Sequence, residues 1–172
     1  MSNLPIYEML AQAFASEGVD SLFNLMGDGN MHWATAMSKI DGMRVYHARH
    51  EHCACGMAMG YYSATGKTGV ASVTCGPGVT QITTALSTAA RARVPLVVFA
   101  GESPIDAKWY NQQIEQAPIV TATGAHYVRA HSAKLMHDHV RESFYVARHE
   151  RRPVVLGVPY DLQKQPHVGP AE

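Results

Sequence analysis

The feature that most constrains the fold is the run Pro-Leu-Val-Val-Phe-Ala at 95–100, which contains no polar side chain. A run this short and continuous is typical of a strand that is buried on both faces of a sheet. A second run of this kind, Pro-Val-Val-Leu-Gly-Val, occupies 153–158, and helical patterns separate the predicted strands. The sequence therefore predicts an α/β protein, a three-layer α/β/α sandwich with a mostly parallel sheet of about six strands.

The spacing of the other apolar residues places the remaining elements along the chain. Helices are predicted at 4–18, 31–39, 50–65, 78–93 and 132–149, and further strands at 21–25, 43–47, 69–74 and 127–129. The last helix should turn four side chains inward: Leu135, Val140, Phe144 and Ala147. Residues 101–118 are the least regular part and are long enough to form a lid or an interface element. We expect one domain over 1–162 and a polar linker or tail at 163–172, in a chain cut from something longer.

Composition and charge narrow the classes of protein to consider. The chain has 172 residues, 47% of them hydrophobic and 16% charged, so it can bury a real core and leaves apolar surface for a partner domain or subunit. The formal net charge is zero and no run of Lys and Arg occurs, which argues against nucleic acid or an acidic membrane as partner. Three cysteines without a disulfide spacing suit a reducing compartment, and neither a signal peptide nor a membrane-spanning run is visible. We therefore expect a soluble, cytoplasmic protein.

Two of the predicted strands are followed by polar or turn residues and then by a helix: His47-Ala-Arg-His-Glu51 and Cys75-Gly-Pro-Gly78. In an open parallel sheet such loops meet at the carboxyl edge, where ligands bind. Glu51 and Pro77 each begin a helix, so a carboxylate and a tight turn should face one cleft. The turn at 76–78 could hold an anion through its N–H groups or could be a plain tight turn. Glu51 taken alone would be a first-turn carboxylate that the helix dipole favours.

Gly27-Asp28-Gly29 follows a strand and precedes a helix, which raises the possibility of a dinucleotide-binding fingerprint. Glu51 even lies at about the distance along the chain from which an acidic residue contacts the ribose. However, His32 stands where the third glycine belongs, and a helix precedes the first strand. A plain turn is the simpler interpretation.

Several histidines and cysteines invite a comparison with metal sites: His50, His52, Cys53, Cys55, His137 and His139. Positions i and i+2 diverge on a helix, and no second pair has ligand spacing. Buried cysteines and hydrogen-bonded histidines explain these residues better, so no metal ligand is predicted.

A set of motifs occurs in the order found in one enzyme family. They are Arg49-His50-Glu51, Met57-Ala-Met-Gly-Tyr61, Thr65-Gly-Lys-Thr-Gly-Val70, Thr74-Cys-Gly-Pro-Gly78, Pro95-Leu96 through Gly101, Gln112-Gln-Ile-Glu-Gln116 and Arg152-Pro-Val-Val-Leu-Gly-Val-Pro159. Together they resemble the N-terminal, pyrimidine-binding (PYR) domain of thiamine diphosphate enzymes of the acetolactate synthase and benzoylformate decarboxylase group. The likeness covers nearly the whole chain.

The resemblance implies a role for each matching residue. Glu51 is similar to the glutamate that hydrogen-bonds N1′ of the aminopyrimidine. There a buried carboxyl group favours the tautomer whose exocyclic nitrogen removes the thiazolium C2 proton. The other implied cofactor-binding residues are Thr74, Gly76, Pro77, Gly78, Gln81 and Gln112.

The sequence departs from the family pattern at three places. Gln81 stands where many relatives carry Asn, which would alter its contact. Asn24-Leu-Met-Gly27 replaces the usual Phe-Gly-x-Pro-Gly, which could reshape the substrate end of the cleft. His52 takes a place that is often Gln.

The resemblance also implies that this chain is half of an active site. In the family, Mg²⁺ and the diphosphate are held by a separate domain with Gly-Asp-Gly followed by Asn-Asn, which Gly27-Asp28-Gly29 resembles only superficially. The expected partners are therefore a diphosphate-binding domain or subunit, a second copy in a homo-oligomer, and a 2-oxo acid that is decarboxylated or ligated. A non-catalytic binding module that keeps the fold, or a nucleotide-binding dehydrogenase, are the competing interpretations. The retained Glu51 argues against the first of these.

Overall fold

The apolar segments of residues 4–167, the part of the chain that the computed structural model describes, pair into one sheet of six strands. The strands are β1 (Ser21–Asn24), β2 (Arg44–His47), β3 (Gly69–Val73), β4 (Leu96–Glu102), β5 (His126–Arg129) and β6 (Pro153–Pro159). Neighbouring strands all pair in parallel, and their order across the sheet is β2-β1-β3-β4-β6-β5. The predicted parallel sheet is confirmed.

Helices cover both faces of this sheet. They are α1 (Ile6–Ser16), α2 (Met31–Met37), α3 (Glu51–Thr65), α4 (Pro77–Gln81), α5 (Thr83–Ala92), α6 (Gln116–Ala122), α7 (Met136–Val146) and α8 (Tyr160–Gln163). One hydrophobic cluster lies between the sheet and α1, α2 and α7, and a second lies between the sheet and α3, α5 and α6. The three-layer sandwich is therefore confirmed.

The central position of β4 explains why the run 96–100 is continuously apolar. Val97 and Phe99 belong to the cluster under α1 and α7, whereas Val98 and Ala100 belong to the cluster under α3 and α5. Successive side chains of a strand point to opposite faces, and both faces are covered here. On the first face Phe99 stacks on the fully buried Trp33, with ring centroids 4.1 Å apart.

Three elements differ from the sequence prediction. The predicted helix 78–93 is interrupted at Ile82, because the hydroxyls of Thr80 and Thr83 donate to carbonyl oxygens three residues earlier and compete with the helical ladder. Helix α6 was not predicted, because it begins inside the stretch 101–118 that was expected to be irregular. Pro118 lies in its first turn, where proline is tolerated.

The inward side of the last long helix was also predicted partly wrongly. A short 3-10 turn at 133–135 precedes α7, so Leu135 is 39% exposed and Met136 is fully buried instead. Val140, Phe144 and Ala147 are buried as predicted.

Residues 163–167, the start of the predicted tail, contact the body of the domain. The Ile6 N–H donates to the Gln165 carbonyl at 2.9 Å, and the His167 N–H donates to the Leu4 carbonyl at 2.8 Å. The rest of the predicted tail, 168–172, lies outside the described residues. The domain boundary at 162 stays a prediction. Over residues 4–167, no helix combines the length and apolar character needed to cross a membrane.

Candidate functional site

The carboxyl ends of β2, β1 and β3 lie side by side, so the loops that follow them emerge together. The strand ladder continues into these loops: the Ala48 N–H donates to the Asn24 carbonyl at 2.8 Å, and the Leu25 N–H donates to the Ser72 carbonyl at 3.0 Å. The loop before Glu51 and the loop at 74–78 therefore belong to the same edge of the sheet, where an open parallel sheet binds ligands.

Glu51 is the first residue of α3. His50 precedes it in extended conformation and caps the helix, because its Nδ1 accepts a hydrogen bond from the His52 N–H at 3.1 Å. Within residues 4–167 the Glu51 carboxylate makes no hydrogen bond or ion pair, and its side chain is half-buried. The carboxylate is thus held at a helix N-terminus and remains available to a hydrogen-bond donor.

The turn after β3 has a backbone shape that requires glycine at 76. Gly76 has φ 57° and ψ −104°, and a Cβ there would overlap the backbone carbonyl of Gln112. Glycine adopts this conformation readily, whereas a residue with a side chain would be strained there. Pro77 then begins α4. Gly78 is buried, and a Cβ on it would lie 3.0 Å from the methyl group of Thr74.

The N–H groups of this turn already have partners within the chain. The Gly76 N–H donates to Gln116 Oε1 at 2.8 Å, and the Gly78 N–H donates to the Cys75 carbonyl at 3.3 Å. Because α4 has only five residues, its dipole is also small. A shaped tight turn therefore accounts for 76–78 better than an anion cradle.

Gln112 joins this turn to the loop after β1. Its Oε1 accepts hydrogen bonds from Thr74 Oγ1 at 3.1 Å and from Cys75 Sγ at 3.0 Å. Thr74 Oγ1 accepts from the Gly29 N–H at 3.1 Å. Three segments far apart in sequence are thereby fixed to one another at the sheet edge. Gln81, in contrast, is exposed at the end of α4 and makes no side-chain hydrogen bond to the residues that the structure describes.

The turn at 27–30 has a structural explanation that the sequence analysis missed. The buried Asn30 accepts from the Gly27 N–H at 2.7 Å through Oδ1, and its Nδ2 donates to Ser72 Oγ at 2.7 Å and to the Leu25 carbonyl at 3.0 Å. Gly29 lies directly against Gly101, and a Cβ on Gly101 would overlap the backbone of Gly29. These glycines serve close backbone packing, which supports the plain turn over a dinucleotide fingerprint. An Asn at a helix start is the signal that could have found this closure.

The histidines and cysteines do not come together as ligands. In the described ranges no three His, Cys, Asp or Glu side chains are grouped as a metal ion would require. Cys53 is exposed, whereas Cys55 is fully buried, and burial together with the charge of Glu51 raises the pKa of the Cys55 thiol to about 12. A neutral buried thiol is a poor metal ligand.

Sequence reasoning also missed a buried polar cluster beside the turn, formed by Gln116, Tyr127 and Glu102. Tyr127 donates to the Glu102 carboxylate and accepts from Gln116 Nε2 at 3.0 Å. Burial and the charge of Glu102 raise the pKa of Tyr127, so this hydroxyl keeps its proton. Gln116 is the last residue of the motif Gln112-Gln-Ile-Glu-Gln116, but only the fold brings it to Gly76.

Comparison with known proteins finds relatives of this sequence and of this fold. A family model described as thiamine pyrophosphate enzyme, N-terminal TPP binding domain, matches residues 5–119. The chloroplastic acetolactate synthase 2 of Nicotiana tabacum is 32% identical over 164 residues, which are 92% of this chain and 24% of that protein. The acetolactate synthase large subunit of Haemophilus influenzae is 31% identical over 164 residues, covering 94% of this chain and 29% of that protein.

A solved structure has the same fold. The thiamine diphosphate-dependent 4-hydroxybenzoylformate decarboxylase of Rhodococcus jostii RHA1 superposes with a TM-score of 0.87 at 19% identity, covering 96% of this chain and 32% of that chain. The chain thus spans between 24% and 32% of the length of these relatives. The likeness read from the sequence motifs is confirmed.

Proposed function

The chain belongs to the thiamine pyrophosphate enzymes, as their N-terminal TPP-binding domain, and on this premise we propose that it forms the aminopyrimidine half of an active site that acts on a 2-oxo acid. The reaction that we propose is decarboxylation or carboligation, carried out by the complete protein and not by this chain alone. The observation that carries the proposal is the Glu51 carboxylate, half-buried at the sheet edge and without a hydrogen-bond partner among residues 4–167.

The residues present fit the pyrimidine end of thiamine diphosphate. Glu51 offers an acceptor for a protonated ring nitrogen. The turn at 76–78 is free of side-chain bulk at two positions, which suits the close approach of a flat ring. We propose that Thr74, Gly76, Pro77 and Gly78 line the ring, that Gln112 holds Thr74 in place, and that Gln81 contacts the cofactor from the end of α4.

The diphosphate end calls for a second domain. We propose that a diphosphate-binding domain or subunit holds the diphosphate and its Mg²⁺, and that the active site forms between that domain and this one. The length of the relatives supports this, because this chain matches only 24% of the tobacco protein and 29% of the Haemophilus protein.

Thiamine diphosphate, when bound, supplies a thiazolium carbon that adds to the carbonyl group of a 2-oxo acid. The proposed role of Glu51 is to hold or transfer a proton at N1′ of the pyrimidine. Its carboxylate lies in the first turn of α3, where the helix dipole stabilises negative charge, and docking of the second domain would exclude water from it. Exclusion of water strengthens a charge-assisted hydrogen bond, which favours proton sharing at this atom.

We further propose that the complete protein is a homo-oligomer of the cytoplasm. Helix α3 presents Gly56 and Gly60 to open space, beside Met57, which is 39% exposed, and Tyr46 of β2, which is 41% exposed. A face of small and apolar residues lets another backbone approach closely, which suits a second copy of the chain. The odd number of cysteines supports a reducing compartment.

Replacement of Glu51 by Gln in the complete protein tests the catalytic proposal. Glu51→Gln keeps the size and hydrogen-bonding capacity but cannot share a proton as a carboxyl group does. We expect little change in cofactor affinity and a slowing of hydrogen–deuterium exchange at C2 by about 10²–10⁴.

The matched control is Glu8→Gln, the same substitution in the first turn of α1. Loss of a helix-dipole interaction alone lowers stability by about 0.3–1 kcal/mol and leaves exchange at C2 unchanged. Equal exchange rates in wild type and Glu51→Gln would remove Glu51 from the mechanism.

A further inference from the structure

Gln116 is the first residue of α6 and is only 2% exposed, although its side chain carries an amide. A buried amide is unfavourable unless its donors and acceptor find partners. Oε1 accepts from the Gly76 N–H at 2.8 Å, while Nε2 donates to the Gly101 carbonyl at 3.1 Å and to Tyr127 Oη at 3.0 Å. Both N–H donors and the oxygen of this side chain are therefore in use.

The donor or acceptor character of its three partners fixes the orientation of the Gln116 amide. A flipped amide would point its oxygen at the Gly101 carbonyl and its N–H groups at the Gly76 N–H, pairing acceptor with acceptor and donor with donor. Tyr127 adds a third constraint. Its single hydroxyl proton goes to Glu102, so its oxygen must accept from Gln116.

The cluster is itself anchored. Glu102 is 7% exposed and lies 3.1 Å from Arg129 Nε, and a Cβ on Gly157 would overlap the Tyr127 hydroxyl. A continuous series of hydrogen bonds thus connects Arg129 to the backbone of the candidate site. It passes through Glu102, Tyr127 and Gln116. Such fully satisfied networks make their members rigid.

This series of hydrogen bonds ends at Gly76, whose backbone conformation only glycine adopts readily. Gly76 has φ 57° and ψ −104°, and the amide of Gln116 reaches it from a residue 40 positions further along the sequence. Holding the Gly76 N–H fixes the direction in which Pro77 and α4 leave the sheet edge.

We propose that Gln116 is a positioning residue of the active site: it holds the Gly76 turn in the shape that the aminopyrimidine ring requires. This inference rests on the proposed function. Gln116 is buried beneath the turn, so it acts through Gly76 and not by contact with cofactor or substrate.

Amide hydrogen exchange in this chain tests the contact directly. Gln116→Met keeps the length of the side chain and removes its donors and acceptor. Burial favours the neutral carboxyl group in Gln116→Glu, which keeps an acceptor for the Gly76 N–H and one donor for the Gly101 carbonyl. Gln113→Met is the matched control, since Gln113 is exposed three residues earlier. We expect exchange at Gly76 to rise about ten- to a hundred-fold in Gln116→Met and to stay slow in the other two variants. The Val98 amide in β4 reports global unfolding in each sample. Unchanged exchange at Gly76 in Gln116→Met would overturn the proposal.

If Gln116→Met does not fold, Gln116→Asn decides the question alone. It keeps a buried amide on a side chain that is one methylene group shorter, so its oxygen withdraws from the Gly76 N–H. Faster exchange at Gly76 with a protected Val98 amide supports the proposal, and exchange as slow as in wild type would overturn it.

Calorimetric titration of the complete protein with thiamine diphosphate and Mg²⁺ tests the consequence for binding. We expect Gln116→Met to weaken binding by about tenfold or more, Gln116→Glu to restore most of it, and Gln113→Met to match wild type. Equal affinity of wild type and Gln116→Met would overturn the positioning role while leaving the proposed function intact. A wild-type protein that binds no thiamine diphosphate would overturn the proposed function and this inference with it.

Discussion

Replacement of Gly76 by Ala should destabilise the chain more than any other single methyl group added at a glycine of the candidate site. Two separate effects act at this position. The backbone of Gly76 has a positive φ of 57°, and a Cβ would overlap the backbone carbonyl of Gln112. A backbone carbonyl cannot rotate away as a flexible side chain can, so the segment around Gln112 has to move.

The structure gives the size of each effect. Strain from an unfavourable backbone conformation is about 1–3 kcal/mol. Movement of Gln112 would also break its hydrogen bonds to Thr74 and Cys75, which contribute about 0.5–1.5 kcal/mol each. We expect Gly76→Ala to lower the free energy of unfolding by about 2–6 kcal/mol.

Two other glycines separate these effects. Gly66 has φ 73° with open space around it, so Gly66→Ala measures backbone strain without overlap. Gly56 is exposed inside α3 with open space, so Gly56→Ala should stabilise the chain by about 1 kcal/mol, as alanine is the better helix former. The assay is urea unfolding followed by circular dichroism. A Gly76→Ala variant as stable as Gly66→Ala would refute the reasoning, because the overlap with Gln112 would then have no energetic consequence.

Three further predictions concern the rest of the molecule. Met57→Glu on the exposed face of α3 should shift the complete protein from oligomer to monomer by light scattering at micromolar concentration, and a monomeric wild type would contradict the proposed homo-oligomer. Hydrogen bonds from Lys67 and Tyr61 lower the pKa of Asp20 below its unfolded value, so this carboxylate contributes stability above about pH 4 that is lost as the pH falls further. Urea unfolding at pH 7 and pH 3 should show a smaller drop in stability for Asp20→Asn than for wild type, and equal drops would exclude the effect. Cys53 should react first with a thiol reagent, because Cys55 and Cys75 are buried with raised pKa values, and a fast reaction that persists in Cys53→Ser would contradict this order.

The strands were predictable because their signal is local. A strand covered on both faces is apolar along most of its length, so the apolar runs that form most of β4 and β6 could be read directly from the sequence. The carboxyl-edge position of Glu51 and of the turn at 76–78 then followed from parallel pairing alone. Their roles toward the cofactor come from the family and stay predictions.

The predictions of helix positions failed where tertiary contacts outweighed the local sequence signal. Helix α6 begins two residues before Pro118, a residue that reads as a breaker until its place in the first turn is known. The 3-10 turn at 133–135 changes the phase of the following helix, so Met136 takes the inward place predicted for Leu135. Neither outcome is visible in a periodic pattern of apolar residues.

The sequence by itself determined the class of fold, the edge of the sheet where the candidate site lies and the residue types available there. It could do so because burial and the strand period leave a pattern at adjacent positions. Only the tertiary structure decided which of those side chains meet. Gln112 reaches Thr74 across 38 positions, Gln116 reaches Gly76 across 40, and Asn30 reaches Ser72 across 42. A polar residue in a loop has the same appearance in the sequence whether water or a buried backbone N–H satisfies it, and the folded chain alone selects between the two.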